Sequence, residues 1–387
     1  MSDLRERPVD GEQRPDSVVD VPGSRARARE RIEHLCGAPA DSRALRLAVL
    51  AELRGQLDVD AHVWVVTDPV TEVGSAPVAR VPAGIDLRAL ITAKYTDRTN
   101  RWTALGVADA PAVRTLGETP STGPWRALLA ERGIGDVASV VLRDRLGCWG
   151  FLDLWRRAER GPVPAADVAF LAELVPALTA GVRRSLAATF AAPPAAQTRE
   201  AGPAVVLLDE DLRVAGASPG AEEWLATLLP AAAGTDPVPA GIYNTAAQML
   251  ARECGVDDHP AVARVHLTAG YWLTLRAARL AGTRPAAIGV TLEETSPLDR
   301  VDLFGRTHGL SPREREVVAA LAQGVDTRDL AGLLVITPNT VQDHLKAIFT
   351  KTGARSRSAL LARAVGAQPP EAGAAGPRTP GPRPPEA

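Results

Sequence analysis

"VITPNTVQDHLKAIFTKTG", Val335 to Gly353, holds two of the three lysines in the chain, Lys346 and Lys351; the third is Lys94. Lys and Arg together number 44, so arginine carries almost all the basic charge. An excess of Arg, Ala, Pro and Gly has the character of GC-rich coding, which disfavours lysine codons. A local lysine pair therefore points to a chemical requirement. Within the stretch, Thr337 reads as an N-cap and Pro338 takes the first helical position, where a missing N–H costs nothing. Val341, Leu345 and Ile348 then recur at i, i+4 and i+7, an inward stripe that leaves Asn339, Gln342, Asp343, Lys346, Thr350 and Lys351 facing outward. Amide, carboxylate, hydroxyl and ammonium groups on one helix face are those that read base edges and phosphates in the major groove of DNA.

Upstream, "LSPREREVVAALAQG" begins with Ser311 as N-cap, Pro312 at the first helical position and Glu314 completing a capping box. Val317, Val318, Leu321 and Ala322 face inward, and Gly324 supplies the stop. "DTRDLAGLL" repeats the logic, with Asp326 as N-cap, Asp329 three residues on, and Leu330, Leu333 and Leu334 inward. From Arg306 to Val365, nine basic residues meet five acidic ones, a surplus of four that leaves −6 on the rest of a chain whose net charge is −2. Two short helices meeting through a tight turn, with a local basic surplus, match the requirements of a nucleic-acid-reading unit.

The stretch Leu310 to Ala364, ending "TPNTVQDHLKAIFTKTGARSRSALLARA", resembles the LuxR-type helix-turn-helix domain of bacterial transcription regulators, over about one seventh of the chain. The resemblance implies four helices: among them a scaffold helix from Asp326 to Leu334, a recognition helix from Pro338 to Thr352, and a fourth helix in "SRSALLARA" that often forms a dimer surface. Thr340, Val341, His344, Leu345, Ile348, Lys351, Gly353, Ser356 and Arg357 fall on the family pattern. Asp329, Gln342 and Thr352 depart from it, standing where glutamate, lysine and leucine are usual. The candidate DNA-binding residues are Thr337, Asn339, Thr340, Gln342, Asp343, Lys346, Thr350, Lys351, Arg355 and Arg357. Of these, Gln342, Asp343 and Lys346 are expected to choose sequence, and Lys351 and Arg357 to meet phosphates; His344 is expected to pack and hydrogen-bond.

At 387 residues and 45% hydrophobic composition, the chain is long enough for two or three cores. Its punctuation divides it into a disordered N-terminus (1–22), a first block (23–188), a linker (189–202), a second block (203–295), a linker (296–305), the helical block (306–366) and a disordered Pro-rich tail (367–387). The first block has an amphipathic helix from Leu45 to Leu57 and strands at Ala61–Thr67, Val137–Asp144 and Cys148–Arg157. A long helix from Pro164 to Leu186 closes it, with Val168, Leu171, Ala172, Val175 and Leu178 on one stripe. "GCWGFLDLWR" and "PVPAADVAFLAELVPAL" resemble a GAF domain, a small-molecule-binding and dimerising module. The second block opens on a buried run, Ala204–Leu208, then a strand, a helix after Ser218, and later paired strands in "YWLTLRAARL" and "AAIGVTLEE". With "LLDEDLRV" and "GYWLTLRAARL", it resembles a PAS domain. The expected fold class is α+β: a GAF-like sensor domain and a PAS-like domain followed by an all-α four-helix LuxR-type helix-turn-helix domain.

Enzyme chemistry is not expected. "GIGDVA" satisfies G-x-G-x-x-A but runs from helix to strand, the reverse of a pyrophosphate site, and the usual phosphate, zinc, acyl-transfer and calcium spacings are missing. Asp209/Asp211 and Asp257/Asp258 read as solvated turns. Cys36, Cys148 and Cys254 lack any CxxC spacing and read as reduced thiols, Cys148 as a buried strand residue. His62, His259 and His266 read as ordinary hydrogen-bonded or surface residues, so no metal and no cofactor is expected. Without a secretory leader or an apolar run of spanning length, a cytoplasmic location and no membrane contact are expected. The expected partners are double-stranded promoter DNA, an unidentified small-molecule ligand, RNA polymerase and a second copy in a homodimer. The alternative is a sigma-factor-like protein bound to core RNA polymerase, since "SPREREVV" and "TPNTVQDHLKAI" also resemble the region that reads the −35 element; it requires a helical block upstream.

Overall fold

The computed structural model describes residues 23–99, 101–105, 112–118, 122–191, 203–228, 238–267, 270–282 and 287–366. Both termini expected to be disordered, and most of the 189–202 linker, lie outside the described residues. In the first block, helix α1 (Ser24–Gly37) buries Ala28, Ile32 and Cys36 at a spacing of four and is charged elsewhere. Helix α2 (Ser42–Arg54) is capped by Asp41, whose carboxylate accepts from the Arg43 and Ala44 N–H groups. Strands β1 (Ala61–Thr67) and β2 (Gly74–Arg80), helices α3 (Leu87–Thr96) and α4 (Trp102–Leu105), strand β3 (Val113–Thr115) and helix α5 (Pro124–Ala130) follow. Strands β4 (Ile134–Asp144) and β5 (Gly147–Arg157) and helix α6 (Ala165–Ala188) complete the block.

The five strands form an antiparallel sheet in the order β2-β1-β5-β4-β3. Side-chain alternation splits it into two apolar faces. Trp64, Leu152 and Leu154 pack with α1, α2 and α6, whereas Phe151 and Trp155 turn to the side of α3, α4 and α5. On α6 the inward stripe is Phe170, Leu171, Leu174, Val175, Leu178 and Val182; Ala172, expected inside, is exposed, because it stands ~100° further round the helix than Leu171 and so past the edge of that arc. Among the described residues, α6 is the one helix long and apolar enough to cross a membrane, and this arc packs on β4 and α1.

The second block comprises β6 (Ala204–Leu208), β7 (Val214–Ala217), α7 (Pro219–Leu228), α8 (Ala240–Glu253), β8 (Val262–His266), β9 (Trp272–Leu280) and β10 (Ala287–Glu294). Its antiparallel sheet runs β7-β6-β10-β9-β8, the same relative order as the first. Helix α8 packs on α3 and β2 of the first block as well as on its own sheet. There Asn244 Nδ2 donates to the Gly74 carbonyl at 2.9 Å. Beside it, buried Asp68 accepts from Arg264 of β8 through the backbone N–H (3.0 Å), Nε (2.6 Å) and Nη2 (2.8 Å).

The third block holds α9 (Pro297–Thr307), α10 (Pro312–Ala322), α11 (Leu330–Leu333), α12 (Pro338–Thr352) and α13 (Arg357–Val365). The stretch 296–305, expected as a linker, is helix α9. Ser296 accepts from the Asp299 N–H, Pro297 sits in the first turn, and Val301, Leu303 and Phe304 are buried. Proline here starts a helix rather than ending one, the same device as at Ser311–Pro312. The helix docks the third block on the other two. Arg306 donates to the Leu146 carbonyl (2.8 Å), Arg183 to that of Thr307 (3.2 Å), Arg363 to that of Phe190 (3.2 Å), and Arg300 to that of Gly270. Phe190 fills the seam, stacked on Trp272 with ring centroids 5.3 Å apart and edge-on to Phe304.

Candidate nucleic-acid interface

The capping box at Ser311 is complete: its hydroxyl accepts from the Glu314 N–H, and Glu314 accepts from the Ser311 N–H at 2.7 Å. Glu314 also accepts from Lys351 Nζ at 2.6 and 2.8 Å, which ties the start of α10 to the end of α12. Burial alone would raise the Glu314 carboxyl, but Lys351 and the Ser311 N–H outweigh it and hold it below the ordinary glutamate value.

The segment expected as a scaffold helix from Asp326 is shorter. Turns cover Thr327 to Asp329, α11 contains four residues, and of the three leucines expected inside, Leu330 alone is fully buried, Leu333 being 58% exposed. Asp326 contributes its backbone carbonyl to the entry, accepting from Asp329 and Leu330, while its carboxylate meets Arg357 at 3.3 Å instead of capping. Val335 makes the turn into α12 with φ +53° and is 89% exposed.

Thr337 caps α12, its hydroxyl accepting from the Thr340 N–H and meeting the Thr340 hydroxyl. Val341, Leu345, Ile348 and Thr352 are buried, as the i, i+4, i+7 spacing requires. Asn339, Gln342, Asp343, Lys346 and Thr350 are exposed on the opposite face. Thr350 returns its hydroxyl to the Lys346 carbonyl (2.9 Å). Among the described residues the side chains of Asn339, Gln342, Asp343, Lys346 and Arg355 make no hydrogen bond or ion pair. His344 is half-buried. Gly353 ends the helix in the left-handed region, φ +67°. Two expected phosphate ligands are engaged within the block. Lys351 holds Glu314, and Arg357 holds Asp326 and donates to the Val325 carbonyl at 2.9 Å. Arg355 between them stays exposed.

Residues 308–364 match the family of bacterial regulatory proteins, luxR family. This segment is a LuxR-type helix-turn-helix domain. The chain is 35% identical over 88 residues to an HTH-type transcriptional regulator, GfsR, of Streptomyces halstedii, an overlap of 20% of this chain and 36% of that one. It is 39% identical over 56 residues to a protein of Mycobacterium bovis described as an HTH-type transcriptional regulator, covering 14% of this chain and 6% of that one. The chain thus spans about a third or less of these relatives. The solved structure of SdiA in complex with octanoyl-rac-glycerol aligns over 90% of this chain and 96% of its own at 14% identity, with a TM-score of 0.29 that carries no argument about fold or ligand. The sigma-factor alternative is not supported. The match is to the luxR family, and the chain upstream consists of two sheet-centred blocks where that reading needs a helical one.

Proposed function

We propose that the chain is a sequence-specific DNA-binding transcription regulator. In this reading the LuxR-type domain engages promoter DNA through α12, and the two upstream blocks, GAF-like and PAS-like, sense a small molecule or bring two copies together. One observation carries the reading: the outward face of α12 presents Asn339, Gln342, Asp343 and Lys346, beside Arg355, with no partner for their side chains among the described residues. Gln342 suits adenine, Asp343 the amino group of cytosine, and Lys346 guanine acceptors, each good contact discriminating by ~1–3 kcal/mol. Asp343 favours reading over mere adhesion, since a carboxylate near phosphates weakens non-specific attraction. The shared strand order of the two sheets supports the GAF-like and PAS-like assignments. A cavity of about 150 Å3 in the first block, walled by Trp102, Trp125, Trp155 and Tyr95 and touched by Asn244 of α8, supports small-molecule sensing. A cytoplasmic site of action follows from the same reading.

Selection of bound sequences from a random DNA library by the full chain tests it. The full chain should enrich a motif; Asp343→Ala should keep overall affinity while relaxing one motif position, and Gln342→Lys should strengthen binding to generic DNA. An unchanged ranked list in both variants would reject α12 as the reading element.

A further inference from the structure

The aromatic cavity of the first block, about 150 Å3, is closed on one side by the second block, through Ala240 and Asn244 at the start of α8. Its other walls are the rings of Trp102, Trp125, Trp155 and Tyr95, with apolar side chains of β1, β2 and α3. Trp102 is fixed in place, stacked on Phe151 with ring centroids 5.0 Å apart and edge-on to Tyr95 at 6.3 Å. Walls held in this way keep a preformed shape, as ligand pockets do.

Aromatic walls suit a cation, because the ring faces carry negative charge density. Here the protein supplies that cation itself. Lys94 Nζ lies 3.6 Å from the centre of the Trp125 ring, 4.8 Å from that of Trp102 and 3.2 Å from Asp153 Oδ2. The other oxygen of Asp153 accepts from Trp102 Nε1 (2.8 Å) and Ser139 Oγ (2.6 Å). The side chains of Lys94 and Asp153 are 3% and 2% exposed, and Lys94 Nζ is shut off entirely. The charge pair is closed on itself. An entering cation finds the ring faces taken, and an entering anion finds the ammonium out of reach. Asn244 is tied by its Nδ2 to the Gly74 carbonyl. A charged ligand would lose its hydration and recover no partner. An uncharged one loses little, and an apolar cavity of ~150 Å3 stays dry and takes a guest of benzene size.

We propose, resting on the sensing role of the upstream blocks, that this cavity binds a small uncharged aromatic molecule, one ring in size. Because Ala240 and Asn244 form its second-block wall, the bound ring props α8 against the first block and stiffens the seam between the two.

The test titrates the full chain with three single-ring probes at constant ionic strength and neutral pH: toluene, benzoate and benzylamine, the last as its ammonium. Toluene is expected to shift the Trp125 and Trp155 indole N–H resonances. It should also slow amide exchange at Gly74, whose N–H donates to Tyr95 Oη at 3.0 Å, and at the start of α8. Benzoate and benzylammonium should bind at least tenfold more weakly. Ala240→Leu and Leu90→Phe push carbon into the cavity from the second and first blocks in turn, and each should weaken toluene at least fivefold. Should one of them fail to fold, the other and the three-probe comparison on the parent still decide. Either ion matching toluene overturns the proposal, as does a parent chain that gives no saturable response to toluene, or parent-like toluene binding in the filled variants. The affinity for an enriched DNA motif is read separately. Toluene bound with no change there keeps the ligand class and removes the sensing role, whereas a charged ring that displaces toluene and alters DNA affinity keeps sensing and overturns the class.

Discussion

At the scale of single residues, the two lysines of α12 divide into two roles. Lys346 stands free on the outward face of α12, whereas Lys351 is spent on Glu314. A phosphate contact releases condensed counterions, so its loss lowers the slope of log K against log salt by about 0.9. Arg355→Ala is therefore expected to reduce that slope by about one contact, while Lys351→Ala leaves it nearly unchanged and lowers the melting temperature of the domain instead. Salt-titrated binding isotherms and a thermal melt separate the two effects. If Lys351→Ala instead lowers the slope as Arg355→Ala does, then Lys351 exchanges Glu314 for phosphate on binding. Glu314 sets the pH response of the same contact. Its carboxyl lies below the unfolded value of 4.5, so its stabilising contribution is present above that pH and is lost as pH falls through the lower folded value. Acid titration of the parent should show an α10–α12 destabilisation that Glu314→Gln abolishes, the variant being weaker at neutral pH.

At the scale of elements, the turn between α11 and α12 is the place where chain preference and fold disagree. A β-branched residue at φ +53° is strained, the left-handed region costing L-residues ~1–2 kcal/mol. Val335→Asn or Val335→Gly is expected to stabilise the domain by ~1 kcal/mol in a denaturant titration, since both residues tolerate that backbone at little cost. A loss of stability would mean that the exposed valine packs against something in solution. The elements legible in the sequence were those whose local signals agreed with their packing. Strand β1 was bounded at Ala61 and Thr67, and α10, α12 and α13 at or close to their caps, because capping chemistry and apolar spacing pointed the same way. Strand β2 escaped because "GSAPVAR" carries Gly and Pro; it is an edge strand, where a missing N–H is tolerated. Helix α1 escaped because three small or aliphatic contacts, Ala28, Ile32 and Cys36, are a faint stripe among arginines and glutamates. The outward residues of α12 could be listed from periodicity, but the ion pairs of Lys351 and Arg357 could not, because they join residues 37 and 31 positions apart.

At the scale of the whole molecule, two charged clusters hold the upstream blocks together. Asp68→Asn strips the counter-charge from buried Arg264 and should cost ~3–5 kcal/mol, the usual result of orphaning one member of a buried pair. Calorimetry should then show the first and second blocks melting in separate steps. Nearby, His259 hydrogen-bonds Asp257 (2.6 Å) and faces Glu72 of the first block (3.5 Å), and these carboxylates raise it to about 9. A raised histidine stabilises fully below its unfolded value near 6.5 and ceases to as pH climbs through 9. The seam between the blocks should loosen over that range, and His259→Gln should flatten the dependence. The third block shares one of these charges, Asp302 of α9 lying 3.5 Å from Arg264, but most of its polar attachments join arginine side chains to backbone carbonyl oxygens, those of Leu146, Phe190, Gly270 and Thr307. Every amino acid offers that oxygen. The hydrogen bonds themselves therefore ask nothing of the acceptors' side chains, which are held for other reasons: Phe190 by its ring, Leu146 and Thr307 by burial, and Gly270 by its φ of +79°. A DNA-reading block joined in this way is largely portable: Arg300, Arg306 and Arg363 travel with it and ask another sensor of the same backbone course for carbonyl oxygens alone, whereas the bond to Thr307 needs an arginine on the sensor where α6 has Arg183.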